Sequence, residues 1–556
     1  MSILMEKATT AAFWQQVRHG EEYRALREQI TAIYSESRMD SIPVLDFALR
    51  MRFYEDGDRA AFEDAYFRRR HFLASAALLA LIYPEEKTYI QEVQACIWAI
   101  CEEYTWAIPA HCGADANDTK TIDLFAAETA FTLAEISYLL GNRLHPFLLE
   151  RIKAEVTKRI IHNYDTMTFW WMKTPYNWAA VCAGNVGGAL LYLFPEELEK
   201  RLPRLLETLR GFIAGFPADG TCLEGVSYWD YGFGNFACFA ELLFQHTDGK
   251  INLFSWDNVE NIAGYLQRMF LQGHAAVSFS DGSPDAKADR GLQNLLREKF
   301  PGKLSAIDPA CCTYNTATVM WRPAFRNFCY LEKDTPTAAE PKDYFLPDAG
   351  QVVVNRARYS LAAKAGHNNE PHNHNDVGTF ILSTDAGQVL CDLGSGLYTR
   401  DYFRPETRYN HFCTASAGHS VPIIDGCGQK PGKDYRGTIS YAEGVIHIDF
   451  AGAYGIAGLT RLERTIDCRE STVALTDTFD LPFETFTERF ITRFAPEITV
   501  RAVKIAGVTM EYDPAKCTPK VQQVQCENRA GQQRTAYILD FDLQKGVQQV
   551  TFTFHI

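Results

Sequence analysis

The sequence lacks the features that mark secreted, membrane-spanning or disulfide-linked proteins. No basic segment followed by an apolar segment stands at its start, and no run of about 18 or more apolar residues occurs. The fifteen cysteines are scattered, form no CxxC pair, and are odd in number, which favours reduced thiols. We therefore expect a cytoplasmic protein without a transmembrane segment.

The chain is also poor in positive charge. Its 55 lysines and arginines are outnumbered by 69 aspartates and glutamates, which gives a formal net charge of -14. A protein with this balance is a poor general ligand for nucleic acid or for an anionic membrane, so we expect neither as a partner. The charge does not exclude an anionic substrate, because a binding cleft has its own local field.

Length and hydrophobic periodicity predict two domains of different class. The 556 residues exceed the ~250–300 at which a single hydrophobic core stops growing. In residues 1–332 apolar residues recur at three- and four-residue steps, as in 124–138 and 197–213, which predicts consecutive helices. In residues 343–556 short β-rich runs alternate with turns, which predicts an antiparallel sandwich. The polar segment 333–342, KDTPTAAEPK, is the predicted linker.

The densest group of candidate metal ligands is His372-Asn-His374-Asn-Asp376. Residues two apart share one face of a strand, so these three side chains are expected to point the same way. Asp392 and His419 follow in the same half of the chain. Two imidazoles and a carboxylate suit a divalent ion such as zinc or manganese. The alternative interpretation is a set of hydrogen-bonded histidines near a turn.

Two segments of the helical half combine aromatic residues with polar and turn residues. They are 168–178, TFWWMKTPYNW, and 219–232, DGTCLEGVSYWDYG. Aromatic faces suit stacking on the apolar C–H faces of sugar rings, which points to a carbohydrate ligand. The alternative is that tryptophans such as Trp178 and Trp229 fill a core. Arg404 and Arg408, at four-residue spacing near the histidines, provide candidate contacts to anionic groups.

Taken together, these segments resemble the heparinase II/III-like polysaccharide lyases. The resemblance runs over about residues 168–426 and is carried by Asn177-Trp178, the 219–232 segment, DYFLPDAGQVVVNR at 343–356, HNHNDVGTF at 372–380, VLCDLGSG at 389–396 and GHSVPIIDG at 418–426. It implies an N-terminal α/α toroid, an incomplete α/α barrel, followed by a C-terminal antiparallel β-sandwich. It further implies a carbon–oxygen lyase that cleaves uronic-acid-containing, glycosaminoglycan-type chains by β-elimination in a cleft between the domains.

The resemblance also implies roles for individual residues. Asn177 would neutralise the substrate carboxylate, Tyr231 would be the catalytic tyrosine, and His372 the catalytic histidine. The metal ligands would be His374, Asp392 and His419. The residues expected to contact the sugar are Trp178, Glu224, Tyr228, Trp229, Arg404 and Arg408.

Three points of this assignment stay open at the level of sequence. Tyr228 competes with Tyr231 for the catalytic role, and His411 competes with His419 as a metal ligand. The family often has a histidine near the Asn177 position, whereas Trp178 follows here, which leaves the uronic acid epimer undecided.

The chemistry explains why such residues are needed. A lyase removes the weakly acidic proton at C5 of a uronate, and a hydrogen bond from Asn177 would stabilise the enolate-like charge that develops. Tyr231 could act as both base and acid in a syn elimination, whereas in an anti elimination His372 would be the base and Tyr231 the acid. We expect the metal to be mainly structural and to fix the segment that carries His372.

Three other functions share part of this pattern. A uronyl C5-epimerase would use the same first proton abstraction. A cupin-like metal oxygenase or isomerase would use the histidine cluster but would leave segments 168–178 and 219–232 unexplained. A non-catalytic glycan-binding protein would keep the scaffold without needing Asn177, Tyr231 and His372, all of which are present.

Overall fold

The computed structural model describes residues 3–38, 41–313, 320–331, 342–480 and 483–556. The chain divides into two compact units. The first unit comprises Met1–Gly215, Trp229–Ala263 and Ala288–Thr337, and the second comprises Phe216–Tyr228, Gly264–Lys287 and Ala338–Ile556.

This division differs from the predicted domain boundary. Segments 216–228 and 264–287, which periodicity assigned to the helical domain, belong to the second unit. Asp219 accepts hydrogen bonds at 3.1 Å from the backbone of Asp348 and Ala349, and Gln388 donates to Ala276 at 2.9 Å. Local periodicity cannot detect such contacts, because they join residues far apart in sequence. The predicted linker, residues 333–342, lies outside the described residues except for Lys342.

The first unit is built from helices, as predicted. The described α-helices are α1 Ala11–His19, α2 Arg24–Ser37, α3 Phe47–Asp56, α4 Ala60–Ile82, α5 Lys87–Cys101, α6 Leu124–Leu140, α7 Pro146–Val156, α8 His162–Thr166, α9 Asn177–Leu193, α10 Leu198–Ala214, α11 Val226–His246, α12 Val259–Ala263, α13 Arg290–Lys299 and α14 Trp321–Cys329. The first unit also contains one short pair of parallel strands, β1 Ala288–Asp289 and β2 Cys312–Thr313, among its described residues. Helix α11 starts in the second unit and continues into the first.

Helix α6 shows how the sequence sets these boundaries. The Asp123 side chain caps its start by accepting a hydrogen bond from the Ala126 amide at 2.7 Å, and Gly141 follows its end with φ +52°. A side-chain acceptor before the first turn and a glycine after the last are the usual helix-ending signals. The apolar periodicity of residues 124–138 and Gly141 after it predict this helix from the sequence, whereas the Asp123 cap was not part of that prediction.

Helix α6 with its following turn is also the one described segment, Leu124–Arg143, that is long and apolar enough to span a membrane. Buried residues make up 78% of its most apolar window. It carries Glu135, which accepts hydrogen bonds from Arg326 at 2.7 Å and from Trp321 at 2.6 Å. Burial against the other helices and this buried ion pair are the properties of a core helix.

The C-terminal part of the second unit consists of antiparallel sheets. Its strands are β3 Tyr344–Leu346, β4 Gln351–Asn355, β5 Ser360–Lys364, β6 Gly366–Asn368, β7 Phe380–Thr384, β8 Gly387–Leu390, β9 Ile423–Ile424, β10 Gly432–Ala442, β11 Val445–Asp449, β12 Leu462–Cys468, β13 Thr472–Phe479, β14 Phe486–Thr492, β15 Glu497–Ile498, β16 Ala502–Ile505, β17 Val508–Glu511, β18 Cys517–Glu527, β19 Gln533–Leu543 and β20 Gln549–His555. They form sheets in the orders β3-β4-β5-β7-β8, β15-β16-β17-β20-β13-β12-β11-β10-β6 and β18-β19-β14-β9.

Strand β20 confirms the prediction from alternation. Val550, Phe552 and Phe554 are buried, and Thr551 and His555 between and after them are exposed. Side chains alternate between the two faces of a strand, so one face of β20 enters the core of the second unit and the other is in solvent. The all-α then antiparallel-β class is therefore confirmed, and the candidate site residues lie in loops and at helix starts on this frame.

Candidate active site

Four side chains of the second unit form hydrogen bonds with the carboxylate of one buried aspartate, Asp281. Its carboxylate contacts His372 Nδ1 at 2.6 Å, His374 Nε2 at 2.9 Å, the Tyr398 hydroxyl at 3.0 Å and the Tyr402 hydroxyl at 2.5 Å. Burial by itself raises the pKa of this carboxyl, but the hydrogen bonds from His372 and His374 outweigh it and hold the pKa well below its usual range. We call these five residues the Asp281 cluster.

The histidine run that supplies two members of this cluster is not a strand. Residues 369–379 form an irregular loop between β6 and β7, and His372 has φ +56°. The prediction that His372, His374 and Asp376 share one face is therefore wrong. Asp376 instead pairs with Lys364 at 2.8 Å inside the unit, because a left-handed turn at His372 breaks the two-residue alternation.

The hydrogen bond to Asp281 determines which nitrogen of His372 is available. An ionised carboxylate only accepts, so Nδ1 carries a proton and the neutral ring has its lone pair on Nε2. The Glu224 carboxylate lies 3.7 Å from Nε2, and the His372 side chain is 21% exposed. A partly exposed imidazole with an oriented lone pair has the arrangement of a general base.

Tyr228 lies directly against His372. The two ring centroids are 4.4 Å apart, and the Tyr228 hydroxyl is 2.6 Å from the Tyr398 hydroxyl of the Asp281 cluster. The guanidinium of Arg529, from the turn between β18 and β19, lies 5.7 Å from the Tyr228 ring and 4.6 Å from the Tyr398 ring. Burial raises the pKa of Tyr228 to about 12, although Arg529 acts to lower it.

The structure brings His374, Asp392 and His419 together. One ligand atom of each lies within 4.8 Å of the others, and all three side chains are buried. His374 Nδ1 and His419 Nε2 have no hydrogen-bond partner in the described part of the chain, while the opposite ring nitrogens contact Asp281 and Asp392. An imidazole held by a carboxylate, with its other nitrogen free, is the usual form of a histidine metal ligand.

The geometry also separates the two candidates for the third ligand. The ring of His411 packs 5.2 Å from the ring of Tyr402, and His411 is not part of the ligand group found among the described residues. His419 is. The three residues present thus fit a divalent ion with nitrogen and oxygen ligands.

Two further candidate catalytic residues, Asn177 and Tyr231, lie in the first unit. Asn177 is the buried first residue of α9, and a Cβ on Gly232 would lie 3.0 Å from the Asn177 Cβ. The glycine in the Tyr231-Gly232 pair therefore lets α11 approach the start of α9 closely. Burial, together with the neighbouring Glu128 carboxyl, raises the pKa of Tyr231 well above its usual value.

Trp178 forms an aromatic group with two residues that lie near the start of α9. Its ring is 4.9 Å from the ring of Trp170, which is 57% exposed, and 4.8 Å from the ring of His111. The buried Asp123 carboxylate contacts His111 Nδ1 at 2.8 Å. The sequence did not point to His111, although it supplies an imidazole beside Trp178 from another part of the chain.

Trp229 was predicted to contact the sugar, and this prediction is wrong. Its side chain is fully buried and its indole nitrogen donates to the Ile262 carbonyl at 2.7 Å. The residue fills the core of the first unit because it sits on the inner face of α11. Arg404 is exposed and pairs with Asp401 at 3.3 Å, so the structure gives it no buried role.

Asp281 is the main residue that the sequence analysis missed. It lies in the segment Phe279-Ser-Asp-Gly-Ser283, where Ser280 has φ +57°. The only local signal was a cluster of turn-forming residues in an otherwise helical half. Its partners are 91 to 121 residues away in sequence, so its role is visible only in the folded chain.

The family model described as Heparinase II/III-like, C-terminal, matches residues 339–494 of the second unit. The resemblance to these lyases is therefore confirmed for that segment. No curated protein sequence matches the chain.

Several solved structures share the fold over almost the whole chain. The heparan sulfate lyase HepC from Pedobacter heparinus has a TM-score of 0.61 at 13% identity, covering 99% of this chain and 86% of that chain. A heparinase III has a TM-score of 0.61 at 10% identity, covering 96% and 83%. The chondroitin AC lyase of Streptomyces coelicolor has a TM-score of 0.58 at 9% identity, covering 99% and 82%. These likenesses confirm the predicted class of α/α toroid followed by β-sandwich.

Proposed function

We propose that this protein is a polysaccharide lyase that cleaves uronic-acid-containing glycans by β-elimination and leaves a 4,5-unsaturated uronate end. The observation that carries the proposal is the pair formed by His372 and Tyr228, whose rings are 4.4 Å apart and which Asp281 and Tyr398 hold from behind. The matched family segment and the lyase folds of the structural neighbours support it.

The reaction needs a group that makes the C5 proton acidic. The uronate carboxylate is negative, and removal of the C5 proton places more charge on it. In this proposal the amide of Asn177 donates a hydrogen bond to that carboxylate and stabilises the enolate-like charge. Asn177 is buried at the start of α9, where Gly232 packs closely behind it, so its side chain starts from a fixed position.

We assign the base and the acid to His372 and Tyr228 from the hydrogen bond of the first and the raised pKa of the second. In this proposal Nδ1 of His372 bonds to Asp281, and Nε2 of the same imidazole takes the C5 proton. Tyr228 has a pKa raised to about 12 and is protonated at neutral pH, so its hydroxyl donates a proton to the departing O4. Tyr231, one helical turn further along α11, is the alternative acid.

The activity test is the absorbance near 230 nm of the unsaturated product, measured over a panel of uronic-acid polymers with the wild type and the variants His372→Gln, Tyr228→Phe and Tyr231→Phe. We expect a signal in the wild type that falls by about 10²–10⁴-fold in His372→Gln and Tyr228→Phe. A larger loss in Tyr231→Phe than in Tyr228→Phe would transfer the acid role to Tyr231. A flat wild-type trace from folded protein over the whole panel would overturn the lyase proposal.

We also propose that His374, Asp392 and His419 hold one zinc or manganese ion. The ion would supply structural order, since His374 is two residues from His372 and bonds to the same Asp281 carboxylate. His374 would keep its free Nδ1, and His419 its free Nε2, pointed at the ion.

Metal analysis of purified protein tests this site independently of activity. We expect about one divalent ion per chain in the wild type and a loss of the ion and of thermal stability in His419→Ala. His411→Ala is the matched control, because His411 packs on Tyr402 outside the ligand group, and it should retain the ion. Equal metal content in wild type and His419→Ala would contradict the assignment.

A further inference from the structure

The hydroxyl of Tyr398 lies between the proposed acid and the carboxylate that contacts the proposed base. It donates to Oδ2 of Asp281 at 3.0 Å, and its oxygen is 2.6 Å from the hydroxyl oxygen of Tyr228. His372 Nδ1 contacts the same Oδ2 at 2.6 Å. A continuous series of hydrogen bonds therefore joins the proposed acid to the proposed base within the second unit.

The number of hydrogen atoms in this series determines the direction of each bond. A tyrosine hydroxyl carries one hydrogen, and the hydrogen of Tyr398 points at Asp281. Two phenol oxygens that are 2.6 Å apart need a hydrogen between them, because their lone pairs otherwise repel. That hydrogen belongs to Tyr228, so Tyr228 donates to Tyr398 before the reaction.

The direction of the bond between the two tyrosines has to reverse when Tyr228 gives its proton to the departing O4. The oxygen of Tyr228 is then a phenolate without a hydrogen, and the oxygen of Tyr398 still lies 2.6 Å away. The contact is favourable when Tyr398 turns its own hydrogen from Asp281 towards Tyr228. The new hydrogen bond is charge-assisted and therefore stronger than the neutral bond that it replaces.

The packing around Tyr398 fixes its ring but leaves its hydroxyl hydrogen able to turn. The ring centroid lies 5.1 Å from that of Tyr402 and 4.8 Å from that of Phe403, and the guanidinium of Arg529 lies 4.6 Å from it. A hydroxyl hydrogen turns about its C–O bond without any movement of the ring. The exchange of partners therefore needs no rearrangement of the surrounding side chains.

The carboxylate of Asp281 remains paired after Tyr398 turns away from it. The other three members of the Asp281 cluster still contact it at 2.5 to 2.9 Å. In addition, Nη2 of Arg408 lies 3.5 Å from Oδ2, the oxygen that Tyr398 leaves. Asp281 thus loses one bond from a neutral donor, while the phenolate of Tyr228 gains a charge-assisted one.

The pKa values of the two tyrosines agree with this order of events. Burial raises the pKa of Tyr228 to about 12, although Arg529 and the hydrogen bond from Tyr398 act to lower it. Burial, with the neighbouring Tyr228 and Asp281, raises the pKa of Tyr398 well above its usual value. Tyr228 therefore loses its proton before Tyr398 does, and Tyr398 remains available as a donor.

We propose that Tyr398 is a positioning residue that stabilises the phenolate of Tyr228 by moving its hydroxyl hydrogen bond from Asp281 to that oxygen. This proposal rests on the lyase function proposed above. The C5–H and C4–O4 bonds break and the C4–C5 double bond forms. His372 receives the C5 proton, and O4 receives the proton of Tyr228. Tyr398 keeps its own proton, and exchange with water returns one proton to Tyr228 and removes one from His372.

The first test compares two leaving groups in the variant Tyr398→Phe. On a uronic-acid polymer that the wild type cleaves, kcat should fall about 10- to 100-fold with KM nearly unchanged. On a synthetic uronide whose C4 substituent is nitrophenolate, which departs without a proton, kcat of the variant should match that of the wild type. An equal loss on both substrates, or no loss on the polymer, would overturn the proposal.

Tyr402→Phe is the matched control for this comparison. Tyr402 also donates to Asp281, at 2.5 Å, but to the other carboxylate oxygen, Oδ1. Loss of this donor disturbs the carboxylate that orients the base, so it should slow both substrates by the same factor. A dependence on the leaving group as strong as that of Tyr398→Phe would show that any donor to Asp281 has this effect, and the specific role of Tyr398 would be refuted.

The second test needs no enzymatic activity. A fluorinated tyrosine in place of Tyr228 ionises at a lower pH than tyrosine, and its ionisation is followed by fluorine NMR. We expect its pKa to be higher by about one unit or more in Tyr398→Phe, because the phenolate loses a hydrogen-bond donor, and to be unchanged in Tyr402→Phe. The same pKa with Tyr398 and with phenylalanine at this position would overturn the proposal.

The outcomes separate this inference from the lyase proposal. Cleavage of a polymer that Tyr398→Phe slows equally for both leaving groups would remove the role of Tyr398, while the lyase function stands. If no polymer is cleaved, the lyase proposal falls. The fluorine titration then decides by itself whether Tyr398 stabilises the phenolate at position 228.

Discussion

Asp281 and Glu128 are buried carboxyls, one in each unit, and their charge states differ. Burial raises the pKa of Glu128 from 4.5 to about 8, and the nearby Arg322 lowers it only in part. Burial acts on Asp281 in the same direction, yet the hydrogen bonds from His372 and His374 hold its pKa well below 3.8. At neutral pH Asp281 is ionised, whereas Glu128 is largely protonated.

The difference follows from the number of donors around each group. Four side chains of the Asp281 cluster donate to Asp281 within 3.0 Å. One oxygen of Glu128 has no hydrogen-bond partner in the described structure, and Arg322 also faces the buried Asp230 and Asp289. Burial therefore neutralises a carboxyl unless enough donors converge on it, and here they converge on the carboxylate that contacts His372, the proposed base.

The largest effect is expected from Asp281→Asn. The amide can donate to His372 Nδ1 and so move the ring proton to Nε2, where it blocks the base. We expect kcat to fall on the order of 10³–10⁴-fold with thermal unfolding recorded in parallel. The matched control is Asp285→Asn, since Asp285 is 66% exposed and forms a surface pair with Arg534 at 3.0 Å. More than a tenth of wild-type kcat in Asp281→Asn would contradict the role assigned to this carboxylate.

The second-largest effect is expected from Arg322→Met, which removes the cation beside Glu128. Its guanidinium lowers the pKa of Glu128, Asp230 and Asp289 together, so its removal leaves three buried carboxyls without that cation. We expect a loss of about 3–5 kcal/mol in the free energy of unfolding, measured by urea denaturation. The control is Arg24→Met, an exposed residue paired with Glu21, which should cost less than about 1 kcal/mol. Equal losses in both variants would refute the shared role.

A smaller effect is expected from Arg529→Gln. The guanidinium lies over Tyr228 and Tyr398 and lowers the pKa of Tyr228, so its removal makes the proposed acid weaker. A cation–π contact contributes about 0.5–1 kcal/mol, which corresponds to a fall in kcat of about twofold to fivefold. Arg529→Lys should recover most of kcat. A fall that lysine does not recover would indicate a structural role instead.

The smallest effect at acid pH is expected from Glu128→Gln. Because the folded-state pKa of Glu128 is raised, the folded protein binds an extra proton between about pH 4.5 and 8. The contribution of Glu128 to the free energy of unfolding should therefore be fully present below pH 4.5 and be lost as the pH rises through 8. Denaturation at several pH values should show the variant equal to the wild type at acid pH and less sensitive to rising pH. Parallel profiles of the two proteins would contradict the raised pKa.

Features that depend on neighbouring residues could be predicted from the sequence, whereas features that depend on distant residues could not. Helix α6 was predicted from apolar periodicity with Gly141 after its end, and strand β20 from alternation, because both signals are local. The metal-ligand trio His374, Asp392 and His419 came from the family resemblance, and the structure brings these residues together. The strand predicted for His372–Asp376 was wrong, because the pattern of residue types could not reveal a positive φ at His372.

The sequence by itself determined the class of the two halves, the identity of most candidate residues, and the presence of imidazole and carboxylate groups suited to a lyase. Only the tertiary structure decided that segments 216–228 and 264–287 join the second unit, that Asp281 orients His372, and that Trp229 belongs to the core. Local patterns follow from backbone geometry over a few residues. The charge of a buried carboxyl and the proton position on a histidine depend instead on donors brought together from distant parts of the chain.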